Sequence, residues 1–216
     1  MQYILLTFLL SNICFIIIYF GDFIQNTKLI KTYNLYNSLT HGIFTSICAY
    51  IDICYIIINK SNLIDTNYLI NWHYFSLFYF LYDTHWCIYH KSYLYFVHHI
   101  VCIFTLIYSF YLQQYGNLIS LTLFFGEISG PLFNMVKILE KYNYKSQLVF
   151  VIFTSIFIFV RFLVTPLVLI YLYIFLDNIR DKYIFLLCGI LLLIGSISWV
   201  KGQFNYIKYN IVNRLN

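Results

Sequence analysis

The sequence predicts an all-α integral membrane protein with about seven transmembrane helices in one membrane domain. Three observations carry this. Of the 216 residues, 62% are apolar and only 10% are charged, against roughly 25% charged in soluble domains. The apolar residues fall into segments of membrane-spanning length, joined by short polar stretches. And a few polar residues, Asp83, His98, His99, Glu127, Asn134 and Arg161 among them, stand inside or at the edge of those segments. A charge at the centre of a membrane helix costs roughly 2.5–3.5 kcal/mol on insertion scales, so such residues need a structural or functional reason.

The apolar segments lie near residues 2–20, 41–58, 68–82, 94–112, 117–136, 147–176 and 183–200. The first lacks a basic leader and a small-residue cleavage site, which predicts a retained helix. The third is short and rich in Tyr, so it needs Asp83 to Tyr89 to complete a span. The fifth contains Gly130 and Pro131; glycine permits close backbone approach, and proline frees a carbonyl. The sixth, at about 1.5 Å per residue, is about 45 Å long against a hydrocarbon core of about 30 Å. With Pro166 inside it, a kinked or strongly tilted helix is expected. The resulting division is an N-terminal helix and loop over residues 1–34, a six-helix domain over 35–205 and a short tail over 206–216.

Orientation follows from Lys and Arg. One side carries nine: Lys28, Lys31, Lys91, Lys137, Lys141, Lys145, Lys201, Lys208 and Arg214. The other carries three, Lys60, Arg180 and Lys182. The positive-inside rule then places the C-terminus in the cytosol and the N-terminus across the membrane. The net charge of +5 is scattered over short loops, with no basic run of the kind that tracks nucleic acid. The six cysteines, Cys14, Cys48, Cys54, Cys87, Cys102 and Cys188, form no C-x-x-C pair and read as small buried hydrophobes.

Helical phase shows which polar residues share a face. His73, Ser76, Phe80 and Asp83 form one stripe on the third helix. On the fourth, His98 heads a polar stripe with Cys102, Thr105 and Ser109, whereas His99 heads an apolar one with Ile103, Leu106 and Phe110. His98 is therefore the expected cavity-facing member, with Asp83 orienting its imidazole as base or nucleophile. Glu127, Gly130, Pro131 and Asn134 share a face of the fifth helix. Arg161 and Thr165 lie one turn apart near the middle of the sixth, too deep for easy snorkelling, so Arg161 calls for a carboxylate partner or a wet cavity. Glu127 and Arg161 forming a structural pair is an equally open reading. His41, His73, His85 and His90 read as interface or loop residues. The histidines lack the H-x-x-H-H spacing of membrane di-iron sites, and no metal is expected.

At these residues the chain resembles the TLC-domain family of multi-pass membrane proteins. The carrying segments are Tyr79-Phe80-Leu81-Tyr82-Asp83, Val97-His98-His99, and Glu127-Ile128-Ser129-Gly130-Pro131-Leu132-Phe133-Asn134, which is similar to the family's E-x-S-x-P-x-x-N stretch; Arg161 is similar to another family position. The resemblance implies about six helices surrounding a central cavity, here with an extra N-terminal helix, in the endoplasmic reticulum membrane. It implies lipid-related function, closer to the small members than to the ceramide synthases, because Ile100-Val101-Cys102 follows the histidine pair where those enzymes place a Thr.

Two function classes follow. One is an acyltransferase that moves an acyl group from acyl-CoA to a sphingoid base or other lipid, with Asp83, His98 and His99 as catalytic residues and Glu127, Ser129, Asn134 and Arg161 contacting lipid or substrate. Acyl-CoA would be a co-substrate; no bound cofactor is expected. The other is a non-catalytic lipid-binding regulator of membrane composition, or a translocation or cargo accessory protein. Membrane lipids are the expected partners, and nucleic acid is not among them.

Overall fold

The computed structural model describes residues 27–61, 71–144 and 147–210. All regular structure among them is helical: α1 (Thr27–Ile58), α2 (Asn71–Tyr89), α3 (Tyr93–Leu112), α4 (Gly116–Glu127), α5 (Gly130–Lys141), α6 (Gln147–Phe159), a π-helical turn (Val160–Val164), α7 (Thr165–Phe175) and α8 (Ile179–Asn210). The expected helix over residues 2–20 lies outside the described residues.

Five stretches are long and apolar enough to cross a membrane: Asn34–Ile58, Tyr93–Leu112, Gly116–Lys141, Gln147–Phe175 and Ile179–Asn205. The expected count of seven is thus not reached among the described residues. Helix α2 does form over Asn71–Tyr89, running on through Asp83 to Tyr89 as the short third segment required. Its His73, Ser76 and Asp83 lower its apolarity, and all three are buried.

Burial is inverted relative to a soluble protein. On α1 the exposed positions include Ile43, Phe44, Ile47, Tyr50, Ile51 and Ile57, while His41 and Thr45 are fully buried. In water that arrangement would expose apolar surface and bury polar groups, both unfavourable. In lipid both terms reverse, because hydrocarbon surrounds the apolar side chains and the polar ones find partners inside. The chain is an integral, multi-pass membrane protein.

The described residues form two compact units, divided between Phe150 and Val151. In the first, α1 packs against α2, α4 and α5, and α2 pairs with α3. The α2–α3 turn is closed by Ser92 N–H donating to the Cys87 carbonyl at 2.8 Å and Lys91 N–H to Ile88 at 3.1 Å, with Lys91 left-handed at φ 55°. This is the six-to-one closure of a Schellman turn, with lysine where glycine is usual. The α3–α4 turn is as short, with Gln113 (φ 52°) and Tyr115 (φ 67°) left-handed. Short turns force antiparallel neighbours, which brings the end of α2 beside the start of α3.

The fifth expected segment forms two helices, α4 and α5, broken at Ile128-Ser129. Pro131 has no N–H to offer the carbonyl four residues back, on Glu127, so the ladder lapses at that point. Backbone bonds continue on either side, Ile128 N–H to Phe124 at 3.0 Å and Phe133 N–H to Ser129 at 3.1 Å, so the two helices form one loosened span. The close approach expected at Gly130 lies instead at Gly42: a Cβ there would sit 2.9 Å from Pro131 Cδ, whereas at Gly130 the nearest atom is Glu127 Oε2 at 3.7 Å.

In the second unit, α7 packs on α8 with Leu169 filling the space above Gly189. The irregularity expected around Pro166 is the π-turn Val160–Val164, where the Thr165 hydroxyl also donates to the Val160 carbonyl at 3.1 Å. A π-turn lets a long helix absorb an extra residue.

Candidate functional site

The inward face of α1 organises the polar interior of the first unit. Asn34, Ser38, His41, Thr45 and Asp52 recur at spacings of four, three, four and seven, which keeps them on one stripe. From Asn34 to Asp52 the stripe runs about 27 Å at ~1.5 Å per residue, close to the hydrocarbon thickness. Each member meets a polar group of another helix.

At one end, Asp83 and His99 face each other across the α2–α3 hairpin, with Oδ2 3.5 Å from Nε2. The other ring nitrogen of His99, Nδ1, lies 3.6 Å from Cys87 Sγ. Asp83 accepts from Asn34 Nδ2 at 3.3 Å and from the Tyr79 hydroxyl. Tyr79 in turn bonds Ser38, and Ser38 accepts from Asn134 Nδ2 at 2.8 Å. A donor chain therefore runs Asn134, Ser38, Tyr79, Asp83, passing from α5 through α1 to α2. Its end is an oriented carboxylate beside an imidazole. Both are largely buried, His99 at 4% and Asp83 at 8% exposure.

One turn deeper, His41 is sandwiched by polar and aromatic groups. Its Nε2 lies 3.1 Å from Thr45 Oγ1 and 3.3 Å from Ser76 Oγ, and its Nδ1 lies 3.7 Å from Glu127 Oε2. The Tyr79 ring stacks on it at 3.7 Å between centroids. At the far end, Asp52 accepts from Trp72 Nε1 at 2.9 Å and Ser120 Oγ at 2.8 Å, and Ser120 Oγ also lies 3.0 Å from His73 Nε2.

The structure corrects the choice between the two adjacent histidines. His99, not His98, faces Asp83; His98 is half-buried, with Nε2 3.7 Å from Cys102 Sγ on its own helix. The inward stripe is the apolar one, with His99, Ile103 and Leu106 all buried. The physical reason is that part of the polar stripe bonds within its own helix: Thr105 donates to the Val101 carbonyl at 2.8 Å, and Cys102 meets His98. Hydroxyls and thiols that bond within their own helix do not mark its inward face.

The other expected residues are placed as follows. The stripe His73, Ser76, Phe80, Asp83 is buried throughout. Glu127, Pro131 and Asn134 all meet α1, at His41, Gly42 and Ser38. Ser129 is buried at the break between α4 and α5, its carbonyl accepting from Phe133. The carboxylate of Glu127 faces His41 Nδ1 on α1, at 3.7 Å. Arg161 belongs to the second unit, where it is buried with its guanidinium 5.7 Å from the Phe157 ring.

Sequence reasoning missed the α1 stripe, Tyr79 as a relay, and Cys87. Starting the helix at residue 41 cut off Asn34 and Ser38, so His41 read as a flank rather than the middle of a stripe. Cys87 reads by composition as a small hydrophobe; its spacing of four from Asp83 is the signal that puts both on one face.

Asp83, Cys87 and His99 together offer a carboxylate oxygen, a sulfur and a ring nitrogen, all within 4.8 Å of one another and all buried.

Comparison with curated proteins and with solved structures gives no match. Comparison with protein families matches residues 31–201 to the TLC domain, a span that holds the α1 stripe, the Asp83–His99 pair, the Glu127–Asn134 stretch and Arg161. The chain belongs to the TLC domain family of multi-pass membrane proteins, a family associated with lipid handling.

Proposed function

We propose that the protein is a lipid acyltransferase in which the Asp83–His99 pair is the reactive centre. The observation that carries this reading is the 3.5 Å approach of Asp83 Oδ2 to His99 Nε2, with Asp83 held by Asn34 and Tyr79. A buried carboxylate that fixes an imidazole is the arrangement that general-base catalysis uses.

In the proposed reaction, the amine or hydroxyl of the acceptor lipid attacks the thioester carbonyl of acyl-CoA. His99 takes the proton from the attacking group as the new C–N or C–O bond forms. The C–S bond then breaks, and the CoA thiolate leaves and recovers that proton from the imidazolium. Asp83 stabilises the transient positive charge. His99 stands six residues into α3 and Asp83 six from the end of α2, so each is about 9 Å along its helix from the hairpin turn. The charge asymmetry of the loops supports a cytosolic position for this turn, where acyl-CoA is supplied, and an endoplasmic reticulum membrane suits such a donor. Glu127, Ser129 and Asn134 in the first unit and, separately, Arg161 in the second remain candidates for lipid contact.

The test is direct. Purified protein is incubated with labelled acyl-CoA and a panel of long-chain bases and lysolipids. Asp83→Asn is expected to lower turnover by roughly 10²–10⁴-fold, the usual worth of positioned acid–base chemistry. Co-purified lipid with no product from any acceptor would instead favour the non-catalytic regulator of membrane composition. A crosslinked protein partner with no lipid would favour the translocation or cargo accessory.

A further inference from the structure

We infer that Asp83, Cys87 and His99 form a binding site for one zinc-like divalent ion, at the membrane-surface end of the α2–α3 hairpin. The donor set is one carboxylate oxygen, one sulfur and one imidazole nitrogen, a mixture suited to a borderline-soft ion and poorly suited to magnesium or calcium. Three protein donors leave a fourth tetrahedral position for water or a substrate oxygen, as in zinc sites that do chemistry.

The distances fit. Zinc–sulfur and zinc–nitrogen bonds of ~2.3 and ~2.05 Å at a tetrahedral angle place the two ligand atoms about 3.6 Å apart. Cys87 Sγ and His99 Nδ1 are 3.6 Å apart. Asp83 lies one turn before Cys87 on the same face of α2, and one ligand atom from each of the three residues lies within 4.8 Å of the others, with Asp83 Oδ2 3.5 Å from the second ring nitrogen of His99, Nε2. The tetrahedral oxygen–nitrogen edge is about 3.3 Å, a difference that rotation about the two side-chain bonds of Asp83 covers.

The surroundings fit as well. Metal-binding carboxylates are held by outer hydrogen bonds, and Asp83 already receives them from Asn34 and Tyr79. Cys87 stands two residues from the end of α2, about 3 Å from the turn, so an ion reaches the site from the membrane surface without crossing hydrocarbon. The backbone of Cys87 is fixed by the turn, because its carbonyl accepts from Ser92 N–H at 2.8 Å.

The inference goes beyond the acyl-transfer reading: an ion on His99 takes the lone pair that acyl transfer needs and would block that reaction, and the readout uses neither acyl donor nor lipid, so the two are tested separately. Purified, metal-stripped protein in detergent is titrated with Co²⁺, then with Zn²⁺ in competition. The expected result is one equivalent bound, with a thiolate-to-cobalt charge-transfer band and the visible bands of a tetrahedral ion, all displaced by zinc. Cys87→Ser abolishes the charge-transfer band and weakens zinc binding at least ~10-fold, and Asn34→Ala weakens it about 10-fold through Asp83. Cys102→Ser, beside His98, leaves the band unchanged. Helicity and gel-filtration elution confirm that each variant is folded; Cys87→Ser exchanges a single atom, so it decides the question even where His99→Ala does not fold. A folded protein without a charge-transfer band overturns the inference. So does a band that survives Cys87→Ser, or one that disappears with Cys102→Ser.

Discussion

Replacing Gly42 with alanine tests the packing that holds the site together. The new Cβ would stand 2.9 Å from Pro131 Cδ and 3.0 Å from Cγ, against about 3.5–4.0 Å for an unstrained carbon contact. The deficit is at least about 0.5 Å, and the proline ring cannot rotate aside. Overpacking of this kind costs about 1–3 kcal/mol. Alanine recovers about 1 kcal/mol of helix propensity, so the net loss expected is about 0–2 kcal/mol. The sharper quantity is the coupling. In a Pro131→Ala background the ring is gone, the steric term vanishes, and Gly42→Ala becomes neutral or stabilising by up to about 1 kcal/mol. A double-mutant cycle should therefore return a coupling of about 1–3 kcal/mol. Reversible unfolding of detergent-solubilised protein, followed by helicity over a denaturant series, measures all four corners. A coupling below about 0.5 kcal/mol would refute the contact between α1 and α5. The Ser38–Asn134 bond, one turn from Gly42, would then lose its geometric support.

Asp52 accepts two side-chain donors, Trp72 and Ser120, so Asp52→Ala strands both. Side-chain bonds between membrane helices average about 0.6 kcal/mol with a maximum near 1.7, which sets the expected loss at about 1–3 kcal/mol for the pair. Asp52→Asn keeps an acceptor oxygen and should cost less than about 1 kcal/mol. Equal losses in thermal unfolding of the two variants would show that the charge, not the acceptor, matters. For topology, single cysteines placed after Asn210 and near Lys60 in a background cleared of native thiols should label from opposite sides of sealed vesicles with a membrane-impermeant maleimide. Labelling from the same side would overturn the orientation drawn from the nine-to-three distribution of Lys and Arg.

The fold was largely legible because the membrane simplifies it: apolar runs of a given length become helices, and short turns make neighbours antiparallel. The stripe His73, Ser76, Phe80, Asp83 and the shared face of Glu127, Pro131 and Asn134 were readable from phase alone. The choice between His98 and His99 was not, because a polar stripe marks an inward face only when its members cannot bond within their own helix. Thr105 and Cys102 do so. The α1 stripe was obscured differently: Asn34 and Ser38 precede the strongly apolar run, so hydropathy alone cut the helix seven residues short of its first polar contact. Tyr79 was hidden by composition. Among 23 tyrosines, only the fold picks out the one that links Ser38 to Asp83.

The central claim is that His99, oriented by Asp83, is the reactive imidazole and its neighbour is not. Turnover of labelled acyl-CoA by folded His99→Ala and His98→Ala proteins, measured side by side at saturating acceptor, tests it most directly. The account predicts a loss of at least about 10²-fold for His99→Ala and a loss of less than about 10-fold for His98→Ala. Turnover that survives His99→Ala, or one that falls with His98→Ala alone, would contradict it.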